Sequence, residues 1–453
     1  MILNNYPPQI KYIVGNEAAE RYSYYGMKSI LVVFMTQKLL LSNSEAVSTY
    51  HLFSAACYLL PLLGAFISDR FLGKYKTIIL LSIVYCLGHL VLAMDESQNG
   101  LYLGLALIAL GAGGIKPCVS AHVGDQFKPS EKDKMALVYN LFYWMINFGS
   151  FFATIITPWT FVKYGSKVAF GIPGILMFIA TVVFWMGRKK YVHVPPTGKN
   201  PTGFFHILLS SIKSGLTGKG FFHGPELEFS KEKVEGYRSI LKILVIYVWI
   251  SVFWSLFDQT GSTWILQAQK MDLNFMGITW NEAQIQSLNP IMVLVLIPIF
   301  ANFVYPFFRK LGVNVTPLRK MTVGMFLAAV SFGLVAFFQS LIESGQNLNV
   351  SLQFWSYLLL TMSEVLVSIT GLEFSYTQAP REMKSTIMSF WLLTVFIGNL
   401  LAARMAHVSF FETASTMYFV FYTVLALVVA VIFGVFTRFY KMQNYMESES
   451  LRS

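Results

Sequence analysis

The sequence predicts an all-α integral membrane protein, with twelve spanning helices arranged as two bundles of six. Three observations carry this expectation. The 453 residues are 55% hydrophobic and only 13% charged, against about 25% charged in soluble domains. The apolar residues fall in runs of about 20, long enough for a helix to cross the hydrocarbon, rather than in the short alternating segments of a β-barrel. Finally, one long polar and basic stretch, Lys189 to Arg238, divides the runs six and six.

Taken in order, the expected spans lie at 17–41, 48–71, 76–94, 100–123, 137–161, 168–187, 240–267, 284–308, 318–341, 351–376, 382–405 and 415–438. The domains that follow are a first bundle (1–188), a linker (189–239), a second bundle (240–440) and a tail (441–453). Within the linker, Phe204 to Leu216 is weakly amphipathic; it reads first as plain linker, with a place on the inner leaflet as the alternative. Met1 to Gly15 is polar, with Pro7 and Pro8, and does not read as a cleavable signal. The first span is expected to serve as its own insertion signal. With both termini in the cytoplasm, the cytoplasmic segments hold 26 Lys and Arg against 5 on the other side. Leaving out the linker, the split is still 16 against 5. The positive-inside rule therefore places both termini in the cytoplasm. The net charge of +11 follows the same alternation of loops and does not point to nucleic acid. Cys57, Cys86 and Cys118 all sit in apolar segments, where they read as small core residues and form no metal or disulfide pattern.

The charges inside the spans are the informative anomaly, because an ionisable group in hydrocarbon must pair or face water. At about 100° per residue, Glu17, Glu20, Arg21, Tyr24, Tyr25 and Lys28 share an arc of roughly 140° on the first span. Lys116 lies in the fourth span, Asp258 in the seventh, Glu364 in the tenth, and His51 opens the second. Counting along each span puts Glu17, Glu20, Arg21 and Lys116 toward the cytoplasm. Lys28 and Glu364 fall near mid-depth, and Asp258 and His51 lie further out. Two ionic layers are expected. Ion pairs that form in one state and break in another suit a bistable carrier. An acid paired with a base can also exchange a proton as its surroundings change.

Two bundles of six joined by a basic loop resemble the major facilitator architecture. Gly64-Ala-Phe-Ile-Ser-Asp-Arg70, with Gly73 and Lys74, resembles that superfamily's loop motif, in which Asp69 and Arg70 would clamp a cytoplasmic helix end and so serve gating. More specifically, Glu17-Ala-Ala-Glu-Arg-Tyr-Ser-Tyr-Tyr-Gly26 resembles the ExxER(F/Y)xYYG signature of the proton-dependent oligopeptide transporter family. Four further stretches are similar to that family's motifs: Gly113-Gly-Ile-Lys-Pro117 with Asp125-Gln-Phe127, Phe142-Tyr-Trp-Met-Ile-Asn-Phe-Gly-Ser150, Phe253-Trp-Ser-Leu-Phe-Asp-Gln259, and Gly371-Leu-Glu-Phe-Ser-Tyr-Thr-Gln-Ala-Pro380.

The resemblance implies a role for each residue. Glu17, Glu20 and Arg21 would couple protons, with Lys116 as their partner. Glu364 would accept the amino terminus of a peptide, helped by Asn147 and Asn289. Lys28 and Lys116 would face its carboxylate. Tyr24, Tyr25, Tyr58, Tyr143, Trp254 and Trp391 would wall the pocket, with Ser368 one turn from Glu364. Asp258 would be an outer gate acid, Lys28 would also serve gating, and His51 would be the outer histidine of proton coupling. Lysine at 28 departs from the family's more usual arginine and lacks its bidentate fork. Tyr22 replaces the signature phenylalanine.

The implied function is proton-coupled symport of di- and tripeptides and peptide-like molecules, without cofactor, by a monomer in a bacterial inner membrane. The alternatives are a carrier of another small solute such as nitrate or an amino acid, and a non-transporting peptide sensor. Glu364 argues against an anion site. No nucleophile–base pair, cofactor loop or metal cluster suggests an enzyme.

Overall fold

The structure is a computed structural model that describes residues 7–128, 131–196, 204–218, 220–378, 384–408 and 411–440. The expected tail, 441–453, and positions 382–383 of the eleventh expected span lie outside the described residues.

In chain order the helices are α1 (Ile10–Val33), α2 (Asn43–Ile67), α3 (Lys74–Met94), α4 (Gln98–Asp125), α5 (Lys132–Tyr164), α6 (Ser166–Met186), α7 (Phe204–Leu216), α8 (His223–Glu228), α9 (Lys231–Phe257), α10 (Thr263–Ala268), α11 (Leu288–Ile299), α12 (Tyr305–Lys310), α13 (Pro317–Glu343), α14 (Gln353–Glu364), α15 (Thr370–Gln378), α16 (Lys384–Val408) and α17 (Thr416–Phe439). Several of these join end to end into single spans: α9 with α10, α11 with α12, and α14 with α15. Among the described residues, eleven segments are long and apolar enough to cross a membrane. The first helix, α1, completes the expected twelve. It is 24 residues long but is interrupted by Glu17, Glu20, Arg21 and Lys28, so its burial depends on partners rather than on lipid.

Local chemistry sets the helix starts. Ser42 accepts the Glu45 N–H while the Glu45 carboxylate accepts from Ser42, a reciprocal cap for α2. Ser97, Thr316 and Ser415 cap α4, α13 and α17 in the same way from one side. The turn after α10 holds a small hairpin, Asn274–Phe275 paired with Ile278–Thr279. Met276 and Gly277 have φ of 54° and 76°, as a tight two-residue hairpin turn requires. Hydrogen bonds from the Asn274 backbone and side chain hold the Asp272 carboxyl below the usual carboxylate range. The stabilisation this carboxylate gives is present at neutral pH and is lost as pH falls through the lowered value.

In the first half, α1 lies against α5 and α6, α3 against α4 and α6, and α2 against α4. In the second, α13 packs on α14 and α17, and α16 on α9. The halves meet where α2 lies against α16, and where α5 meets α11 and the turn Glu282–Ser287. Two glycine positions set the approaches that matter for the site. A Cβ on Gly149 would sit 2.5 Å from the Ala18 carbonyl and 3.1 Å from the Arg21 Cβ, so α5 can seat on α1 only without one. A Cβ on Gly64 would fall 2.3 Å from the Gly114 carbonyl, which brings α4 and its Lys116 onto α2.

The linker helix α7 buries Ile207 and Ser211 and exposes Leu209, Ile212 and Leu216. Both α7 and α8 lean on the start of α9.

Candidate functional site

Helix α1 carries two polar constellations along its length. Near its start, the Arg21 Nε lies 2.9 Å from Glu17 Oε1 and its Nη2 lies 2.5 Å from Glu20 Oε2. All three are buried, at 5%, 6% and 9% exposure, so the pairing is what makes their burial tolerable. Glu17 lies one helical turn before Arg21, on the same face, and Glu20 is its immediate neighbour in the chain. Neither Glu20 oxygen makes a hydrogen bond; Oε2 has the ion pair with Arg21, and Oε1 is buried with neither. A cavity of about 260 Å³ opens onto Glu17, Glu20, Arg21 and Lys116, which is room for water.

Lys116 shares this cavity and lies in the electrostatic range of Glu17 and Glu20, yet it makes no ion pair with either. Its ammonium instead sits 4.3 Å from the Tyr24 ring centre and 4.8 Å from that of Tyr58. The four charges sum to zero, and Lys116 is the one held only by ring faces.

At the other end of α1 lies a network that crosses between the halves. The Lys28 Nζ is 3.3 Å from Asp258 Oδ1 and 4.9 Å from the centre of the Tyr50 ring. Asn399 Nδ2 donates to Asp258 Oδ2 at 2.6 Å, and His51 Nδ1 lies 2.8 Å from Asn399 Oδ1. His51 Nε2 lies 2.9 Å from the Ser262 hydroxyl. Because Asn399 spends its amide protons on Asp258 and the Val395 carbonyl, its Oδ1 is the acceptor. The network thus assigns the His51 proton to Nδ1, with Nε2 accepting from Ser262.

Further contacts run along the same seam. Gln37 donates to Glu282 at 2.8 Å, Gln284 to the Ile155 carbonyl at 2.9 Å, and Ser44 to the Ala406 carbonyl at 2.5 Å. This end of the molecule is therefore closed. Asn399→Leu should leave Asp258 Oδ2 and the His51 Nδ1–H unpaired, costing the closed arrangement about 1–3 kcal/mol for each group. Spin-label distances between the far ends of α2 and α16 should lengthen; an unchanged distribution would refute the seam's dependence on Asn399.

Glu364 ends α14, directly before a π-helical turn, Val365–Ile369. Wider turns of this kind often mark functional positions. Asn289 Nδ2 donates to Glu364 Oε2 at 2.8 Å and also reaches Thr361 Oγ1 at 3.2 Å. Across from it, Tyr25 and Tyr143 of the first half lie within electrostatic range of Glu364. Trp391 stands edge-on to Tyr247 at 5.5 Å and to Trp254 at 6.4 Å, and the Trp254 indole N–H is buried without a partner. Tyr24 and Tyr25 meet edge to face at 5.3 Å.

Some expected residues are placed differently from their implied roles. Asn147 donates to the Tyr143 carbonyl in its own helix rather than to Glu364. Ser368 lies inside the π turn that follows Glu364. Asp69 and Arg70 are both exposed. Arg70 rests on Phe66 and Phe71, and no ion pair among the described residues joins either residue to a helix end. The clamp at this end is Lys74 with Asp125, whose oxygens lie 2.8 and 2.6 Å from the ammonium, tying the start of α3 to the end of α4. Lys28 is committed to Asp258 in this arrangement. Tyr50, Ser262, Asn399, Gln37 and Glu282 were not among the expected site residues. Only Glu282 is charged, and it lies at the edge of a span, where an acid is unremarkable.

Among the described residues, no group of three or more His, Cys, Asp or Glu is placed to hold a metal ion. The three cysteines are free thiols.

Comparison with known proteins gives this arrangement a family. Human solute carrier family 15 member 2 is 39% identical over 356 residues, covering 74% of this chain and 49% of that protein. Peptide transporter 3 of Caenorhabditis elegans is 37% identical over 360 residues, covering 74% and 51%. The chain thus spans about half the length of the curated relatives it matches. Among solved structures, the POT family transporter PepTSo superposes with a TM-score of 0.91 at 39% identity, over 97% of this chain and 99% of that one. A variant of the peptide transporter POT in complex with alafosfalin superposes with a TM-score of 0.80 at 25% identity, over 96% and 95%. Residues 75–418 match the family described as PTR2, the POT family. With that match spanning both halves and the charged face of α1 preceding it, the chain belongs to the POT family.

Proposed function

We propose that this multi-pass membrane protein is a proton-coupled symporter of di- and tripeptides and peptide-like molecules, working by alternating access. The observation that carries this reading is the placement of one anion and one cation on opposite halves. Glu364, oriented by Asn289, is an acceptor for an ammonium, and Lys116, held by the faces of Tyr24 and Tyr58, is a donor to a carboxylate. A zwitterionic peptide needs this separation, with amides for its backbone and aromatic walls for variable side chains. The names of the relatives, a peptide transporter among them, support the same substrate class.

The coupling follows from charge balance. Glu17, Glu20, Arg21 and Lys116 together are neutral. A peptide carboxylate bound to Lys116 would neutralise it and leave the buried trio at a net charge of −1. Such a trio takes up a proton, for which the unpaired Glu20 Oε1 is the open position. The bundles 1–188 and 240–440 would then rock about the site, with 189–239 as their tether. Breaking Lys28 from Asp258, and His51 from Asn399 and Ser262, would open the far end. The proton gradient is the driving force and no cofactor takes part. The distribution of Lys and Arg supports cytoplasmic termini, and the reading is of a monomer in a bacterial inner membrane. Purified protein in liposomes, given an inward proton gradient, should accumulate labelled dialanine. Failure to do so while nitrate or a single amino acid accumulates would replace the substrate assignment.

A further inference from the structure

Away from the seam, α13 and α17 run antiparallel and leave a groove of about 850 Å³ on the outer, bilayer-facing side of the second half. Its walls include Val323, Phe326, Val431 and Val435, which are 53%, 37%, 52% and 52% exposed. Its mouth lies at the end where α13 begins and α17 stops, and carries Arg319 and Arg438. Both arginines are exposed, and no acid among the described residues pairs with either. The Arg319 guanidinium is steadied at the mouth by donation to the Asn314 carbonyl at 2.9 Å. The nearby hydroxyls of Thr322 and Thr437 donate to carbonyls of their own helices, and Arg319 and Arg438 are the charged residues of the groove's lining.

A greasy floor on a membrane-facing surface excludes a free hydrophilic anion. Two unpaired guanidiniums at the interface exclude a neutral amphiphile as the best fit. Charge and polarity together select a molecule with an anionic head and an apolar tail. We propose that the groove binds an anionic phospholipid, its phosphodiester held by Arg319 and Arg438 and one acyl chain lying along Val323 and Val435. Arginine suits a phosphodiester because its fork can donate two parallel hydrogen bonds.

Native mass spectrometry of the detergent-purified full chain would test this with phosphatidylglycerol and phosphatidylcholine of identical acyl chains. Wild type should retain phosphatidylglycerol about tenfold or more over phosphatidylcholine. R319Q/R438Q should bring that ratio to about one, and V435W, which fills the floor from an exposed position, should lose both lipids. Lipid-free melting temperatures equal to wild type would confirm that both variants are folded. Equal retention of the two lipids by wild type, or phosphatidylglycerol retention unchanged in both variants, would overturn the proposal. So would displacement of the lipid by inorganic phosphate, which would mark a simple anion site. Deleting residues 441–453 should leave retention unchanged. Lipid bound only after that deletion would show that the chain's own tail fills the groove.

Discussion

Glu20→Gln should abolish proton-driven accumulation of peptide while sparing peptide-for-peptide exchange. The substitution keeps the size of the side chain and an acceptor for Arg21, and Glu17 still pairs with Arg21 at 2.9 Å. What it removes is a group that can bind and release a proton. One proton moving through 100 mV is worth about 2.3 kcal/mol, enough for a roughly 50-fold accumulation ratio. The variant's ratio should fall to about one. Counterflow in preloaded liposomes without a gradient should stay within about threefold of wild type, because it needs no net proton movement. Equal loss of both activities would show that Glu20 is a structural member of the α1 ion pairs and not a carrier of the coupled proton.

Glu364→Gln should instead act on recognition. The carboxylate accepts Asn289 on Oε2, and in the proposed function its charge attracts the amino terminus of the peptide. Glutamine can keep the Asn289 bond but loses the charge. A hydrogen bond to a charged group contributes about 1.5–3 kcal/mol, so affinity for free dipeptides should fall roughly 10- to 150-fold. N-acetylated dipeptides lack the ammonium and should compete weakly and equally against wild type and variant. If wild type failed to distinguish free from N-acetylated dialanine, Glu364 would not be reading the amino terminus.

The two substitutions fall on different halves, Glu20 on α1 and Glu364 at the end of α14. The first constellation of α1, Glu17, Glu20 and Arg21, is bonded within one helix. Its second, through Lys28, is bonded across to Asp258, and Tyr24 and Tyr25 lie between. A displacement of α1 therefore acts on the Arg21 ion pairs, on Tyr24 and Tyr25, and on the Lys28–Asp258 contact together. The same logic explains the fit of Gly149 against Ala18 and Arg21, since a shift of α5 would be felt directly at the cluster.

How much was legible in advance depended on range. The Arg21 pairs with Glu17 and Glu20 are separated by four residues and one, so helical periodicity brings the first together and adjacency in the chain the second. Glu364, Lys28, Asp258 and His51 were each visible as ionisable groups in apolar runs, whose presence demands a reason. Which of them meet was another matter. Lys28 and Asp258 are 230 residues apart, and His51 and Asn399 are 348 apart. Asn399 gave no sign of its role, because a neutral amide in a span is tolerated once it bonds its own helix. The loop after α2 misled for a related reason. It offers Asp69, Arg70 and Lys74 close together, and only the fold shows that Lys74 reaches Asp125 while the other two face outward.

The sequence by itself determined the membrane-spanning helical class, the two groups of six, the polar face of α1 and the set of buried charges. Hydropathy and helical periodicity are local properties, and the cost of a charge in hydrocarbon holds whatever the partner. Only the tertiary structure decided the pairings: Lys28 with Asp258, Asn399 bridging Asp258 and His51, and Lys74 with Asp125. It also put Lys116 over two tyrosine rings instead of against an acid, and placed a π turn after Glu364. These depend on how distant helices seat against one another. That seating is set by close approaches such as Gly64 against Gly114 and by seam contacts that no single segment encodes.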